Sequence, residues 1–166
     1  RRKAEIAAKE KRFALAAKRK GYSAGQELAT EMTELLVPDG DLIRNAEMVG
    51  LVNPKTGGQM HLDLYLARYK VAIEFNGPQH ERVTELYPDP EILEAQRRRD
   101  ELKREWCRRR GIRLIEITAE DLDFDRLIEL LGPHVPLNTS KRGRWHTYKF
   151  LEELARRYRL KAAQHK

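Results

Sequence analysis

The chain has 166 residues, 40% of them hydrophobic and 36% charged, with a formal charge of +7. That is polar but sufficient for the core of one ordinary domain with appendages. No run of about 18 apolar residues occurs, which excludes a membrane-spanning helix, and the single cysteine, Cys107, excludes an internal disulfide or a cysteine-rich zinc site.

In chain order, residues 2–19 read as a helix rich in Ala, Lys and Arg, stopped at Gly21. "SAGQELATEMTELL" (23–36) starts a second helix, with Ser23 and Gln26 as a capping box and Leu28, Met32 and Leu35 as its apolar stripe. "PDGD" (38–41) ends it. Residues 42–52 are an apolar but irregular candidate strand, and "NPKTGGQ" (53–59) is a turn cluster. Strands are expected at 60–66 and 71–76. Asp89 and Pro90 form an N-cap with proline at the first helical position, and the helix runs to about Arg110, where Gly111 suits the C′ position. "IRLIEIT" (112–118) is apolar on both faces and reads as an interior strand. A short helix (124–131), a polar loop (137–144) and a terminal helix with Tyr148, Leu151, Leu154 and Tyr158 on one face complete the chain.

Two of the expected strands carry an acid in their middle, Asp63 and Glu74, where acids are disfavoured. A hairpin centred on Arg68 and Tyr69 pairs Leu66 with Val71, Tyr65 with Ala72, and Asp63 with Glu74. Both carboxylates then share one face, with Cβ atoms about 5 Å apart, and repel. A shared proton would compensate. So would a divalent cation, since two carboxylates with waters and a substrate phosphate is the usual Mg²⁺ arrangement. Edge strands with solvated acids are the plainer alternative.

These residues resemble the PD-(D/E)XK nuclease superfamily, closest to its very-short-patch-repair-like endonuclease branch with an IExxGxxH motif. The matching pieces occur in order: Asp63, "IEFNGPQH" (73–80), "DELK" (100–103) and "GIRLIEI" (111–117), preceded by Glu27 in the early helix. The resemblance implies an α/β (α+β) restriction-endonuclease-like fold, a mixed sheet flanked by helices. It implies Mg²⁺, or Mn²⁺, held by Asp63, Glu74 and the Phe75 carbonyl, and a metal-dependent endonuclease acting on phosphodiester bonds. His80 would move a proton or contact phosphate, Gln79 would orient the water, and Glu27 and Asp100 would complete the site. On a helical wheel Asp100 falls on the flank of the apolar arc, where it can reach a pocket edge or pair with Lys103 or Arg104. One departure stands out: Asn76 occupies the position of the motif lysine, leaving His80, Gln79 or Lys70 to replace it.

Charge adds the expected partner. Residues 1–20 and 137–166 each carry nine Lys/Arg against two Glu, while 21–136 is net −7. Basic ends on an acidic body suit a polyanion such as double-stranded DNA, although solvated helices would show the same pattern. Lys18, Arg19, Lys20, Lys141, Arg142 and Arg144 are the candidate phosphate contacts, and "TSKRGRWHTYKF" (139–150) interleaves basic and aromatic residues, which suits backbone clamping or base stacking, with Tyr148 and Phe150 expected to pack on the body instead. Arg97, Arg98, Arg108 and Arg109 read as solvated. The division expected is a basic helical extension (1–21), a nuclease-like core (22–136) and a basic loop with a C-terminal helix (137–166). A cytoplasmic, reducing setting is expected, without a membrane, and a start at Arg1 suits a fragment of a longer protein. The competing readings are a non-cleaving nucleic-acid-binding module in a larger assembly and a helical protein-binding scaffold.

Overall fold

The computed structural model describes residues 3–4, 7–9, 11–12, 24–77 and 89–164. Lys18, Arg19, Lys20, Ser23, Gln79 and His80 lie outside them. The described chain is mixed α and β. It forms two compact units, one of residues 39–118 and one made from the two ends, 1–38 and 119–166.

The unit 39–118 contains β1 (Leu42–Val52), β2 (Gln59–Leu66), β3 (Val71–Phe75), α2 (Pro90–Arg109) and β4 (Arg113–Ile117). Its sheet has the order β1-β2-β3-β4, antiparallel except for the parallel pair β3 and β4. A parallel pair needs a crossover, which α2 supplies.

Turn chemistry sets the registers. Between β1 and β2, the Asn53 side chain accepts from the Lys55 amide at 3.0 Å and Gly57 takes φ +72°. The register slips between Glu47 and Val52. Gln59 knits this slip together, its side-chain amide donating to the carbonyls of Met48, Leu51 and Met60 at 2.7–3.1 Å. The β2–β3 turn ends on Lys70 at φ +52°, and the pairs Leu66–Val71, Tyr65–Ala72 and Leu64–Ile73 form as the hairpin centre predicts.

α2 starts and stops where its sequence says. Asp89 caps it by accepting from the Glu91 amide at 2.9 Å, ahead of Pro90. At the other end Gly111 takes φ +67°, with Ile112 N–H donating to Cys107 and Gly111 N–H to Arg108. These two bonds are a Schellman closure. Its apolar contact is present too, because Cys107 and Ile112 share a buried cluster with Leu51, Met60, Leu62 and Ala72, backed by Leu102 and Trp106.

One expectation is corrected. Among the described residues β4 is the end strand of the sheet, not an interior one. Its two-sided apolar pattern reflects coverage of both faces rather than two neighbouring strands: Leu114 packs on the cluster beneath α2, and Ile115 and Ile117 are buried on the other side.

The second unit holds α1 (Ala24–Leu36), a 3₁₀ turn (Ala119–Asp121), α3 (Phe124–Leu131) and α4 (Trp145–Gln164), with helical residues also at 3–4, 7–9 and 11–12. α1 packs on α4 and α3, burying Leu28, Met32 and Leu36. On α4, Tyr148 and Leu151 are buried and Leu154 and Tyr158 half-buried. The Tyr148 ring meets Phe124 at 4.5 Å. Among the described residues no helix is long and apolar enough to cross a membrane.

Candidate functional site

Alternation along the strands builds the site. The register places Asp63 and Tyr65 of β2 on one face with Ala72 and Glu74 of β3, and the parallel pairing adds Glu116 of β4, the direct partner of Glu74. α2 lies against this face and brings side chains of its own.

Glu74 is only 6% exposed. Its pKa is raised from an ordinary 4.5 to about 9, chiefly by burial and then by the nearby Asp63 charge and a hydrogen bond with Asp63, while Lys103 opposes the rise. Glu74 therefore keeps a proton at neutral pH, and its hydroxyl donates to Asp63. The sheet steadies the other side of the pair, since the Phe75 amide donates to Asp63 Oδ2 at 2.9 Å. It is thus the amide of Phe75, a residue expected to act through its carbonyl, that is seen holding Asp63.

Lys103 places its ammonium 2.9 Å from Glu74 Oε1, with 15% of its side chain exposed. Two carboxylates on one face, one of them buried beside a lysine, match the hard oxygen donors that Mg²⁺ prefers. A divalent cation there would displace the shared proton. No group of three or more His, Cys, Asp or Glu able to hold a metal is found among the described residues, so protein would supply part of a coordination shell and water or substrate the rest.

Asn76, two residues past Glu74, turns its amide toward Glu116 Oε1 at 3.4 Å. Glu116 is in turn gripped by Arg104 through two bonds of 2.7 and 2.8 Å. Asp100 lies half-buried one turn before Arg104, accepts from Gln96 at 3.2 Å and adds its charge to the field on Arg104. Glu27 belongs to the other unit, where it is buried on α1 at 3% exposure. Gln79 and His80 fall outside the described residues.

Sequence reasoning missed Lys103 and the Arg104–Glu116 pair. A signal for Lys103 existed: it lies four residues before Cys107, about 40° around the helix from it, so a cation sits inside the apolar arc.

At the basic C-terminal end the three named cations differ. Lys141 and Arg142 are exposed. Arg144 is committed within the fold, donating to Leu35 O, to Asn138 O at 2.8 Å and to Ser140 O at 2.6 and 3.0 Å. With Asn138 N–H on Leu36 O at 2.8 Å, it closes the carbonyl end of α1 that a helix otherwise leaves open. Arg97, Arg98, Arg108 and Arg109 are exposed, as expected.

Comparison with known proteins finds similarity to three viral proteins. The chain is 33% identical over 108 residues to Uncharacterized protein 094L of Frog virus 3 (isolate Goorha), covering 63% of this chain and 66% of that one. It is 34% identical over 80 residues to Uncharacterized protein 307L of Invertebrate iridescent virus 6, covering 43% and 41%. It is 35% identical over 68 residues to Uncharacterized protein 033L of Invertebrate iridescent virus 3, covering 40% and 35%. The chain thus spans less than two thirds of each of these relatives. No family model matches it, and no solved structure does.

Proposed function

We propose that this chain carries a metal-dependent endonuclease domain of the PD-(D/E)XK type, hydrolysing phosphodiester bonds in DNA. The observation that carries the reading is the pair of half-buried Asp63 and buried Glu74 with Lys103 beside it. Asp63 and Glu74 would hold Mg²⁺ or Mn²⁺, which when bound supplies Lewis acidity and an acidified water. Asp63 is oriented for this by the Phe75 amide. Lys103, delivered from α2, would take the role left vacant by Asn76: a half-buried cation beside the reacting phosphate that orients water and offsets developing charge. His80 and Gln79 remain candidates on the segment that follows Glu74.

A second reading is favoured by Asn76, whose amide faces Glu116 rather than the acid pair. On that reading the domain keeps a nuclease-like arrangement, binds nucleic acid and does not cut.

Plasmid nicking with Mg²⁺ or Mn²⁺ separates the two. Asp63→Asn and Glu74→Gln should each lower the rate about a hundredfold or more. Lys103→Ala should do so about a hundredfold while leaving DNA binding in EDTA unchanged. Tight binding with no metal-dependent nicking by the wild type would leave the non-cleaving module as the answer.

A further inference from the structure

The start of α4 holds an arrangement that the acid pair does not use. Trp145 is 51% exposed, although Tyr148, less than one turn on, is 2% exposed and packs on Phe124. The indole could have been buried as its neighbour is; leaving it half in water forgoes part of the gain from burying an aromatic side chain. One cation and one imidazole lie beside it. Lys149 Nζ lies 5.6 Å from the indole centroid and the His146 ring meets it edge-on at 5.1 Å. Lys141 and Arg142 are exposed on the loop just before it, and the first turn of α4 has no acid. The loop is held in place, since Arg144 pins it to the carbonyls of Leu35, Asn138 and Ser140.

We propose that Trp145, with Lys149 beside it and the exposed Lys141 and Arg142 on the preceding loop, is a stacking platform for an unpaired base of a nucleic-acid strand. The inference rests on the nucleic-acid part of the function proposed above and is independent of the metal site. The chemistry favours this occupant over two others. A lipid surface needs a broad apolar face, but the apolar residues of α4, Leu151 and Ala155, are buried, and the next exposed one, Leu160, is about 22 Å along the helix. An acidic peptide would use the cations and leave the indole without a role. A single strand uses both, its phosphates on the cations and a base on the π face.

The test is tryptophan fluorescence of the full chain in EDTA, titrated with a short oligothymidylate, the matching duplex, heparin as a base-free polyanion, and anionic lipid vesicles. The second tryptophan, Trp106, is half-buried in the other unit, so a Trp106→Phe background isolates Trp145. The single strand should quench Trp145 and bind tighter than duplex. Trp145→Ala should weaken that binding about tenfold or more with an unchanged melting temperature, while Trp145→Phe retains most of it. Joint Lys141→Ala and Arg142→Ala substitution should flatten the salt dependence. Equal single-strand affinity in Trp145→Ala, equal quenching by heparin, a response to vesicles alone, or no single-strand binding at all would each overturn the proposal. Because the assay contains no metal, failure of nicking and failure of stacking are read separately.

Discussion

Glu74 sits where burial, a like charge and an opposite charge compete, and burial wins. Its folded-state pKa of about 9 against an ordinary 4.5 makes it a stability element with a definite sign. Between those values the unfolded chain releases a proton that the folded chain retains, so folding loses ground as pH rises. The contribution is fully present below about 4.5 and gone above about 9. Urea unfolding of wild type and Glu74→Gln at pH 5, 7 and 9 should show the wild type losing stability relative to the variant as pH rises. Parallel profiles would mean that Glu74 ionises normally in the fold. The same burial pushes the Cys107 thiol up to about 11, with the Glu74 charge adding to it, as suits a packed cysteine rather than a reactive one. At this scale the pairing of Asp63 with Glu74 was readable from the hairpin centre alone. For Lys103 only its place inside the apolar arc of α2 was readable, because its approach to Glu74 depends on how α2 docks against the strands.

At the scale of elements, α2 has the clearest boundaries, and local chemistry sets both. Gly111 holds φ +67° with nothing near its missing Cβ, so an added methyl meets no neighbour and the effect of substitution is backbone strain alone. Gly111→Ala should therefore destabilise by about 1–2 kcal/mol, read as a lower urea midpoint with an unchanged slope. A drop below a few tenths would show that the helix end can re-form without the left-handed residue. β4 teaches the opposite lesson. Its alternation was legible, but a strand's number of neighbours is not written in its own residues. Leu114 is covered by the cluster under α2, which makes an end strand look internal. The loop 137–144 likewise read as polar and basic, while Arg144 serves to close α1.

Across the whole molecule, net charge overstates the cations available to a polyanion. Arg12 lies 3.1 Å from Glu31, whose side chain is fully buried, and Lys9 contacts the same carboxylate. The N-terminal segment is thus a partner of α1 as well as a charged arm. Deleting residues 1–12 would remove both cations from a buried acid, a change on the order of 3 kcal/mol, so the melting temperature should fall markedly. If it stays put while the salt dependence of DNA binding flattens, the segment is a phosphate arm and nothing more. The sequence division at 21 and 136 followed charge. The compact units, cut at 38 and 118, follow packing, which joins the two ends of the chain in one unit.

By itself the sequence determined what depends on short-range chemistry. The Asp89–Pro90 start and Gly111 stop of α2, the β2–β3 register and the sharing of one face by Asp63 and Glu74 all follow from turns, caps and a two-residue period. Tertiary structure alone decided the rest: Lys103 against Glu74, Arg104 on Glu116, the end position of β4 and the commitment of Arg144 to carbonyls. Each of these joins residues from different elements. Their meeting is set by which faces dock to leave water, and that is a property of the packed whole rather than of any one segment.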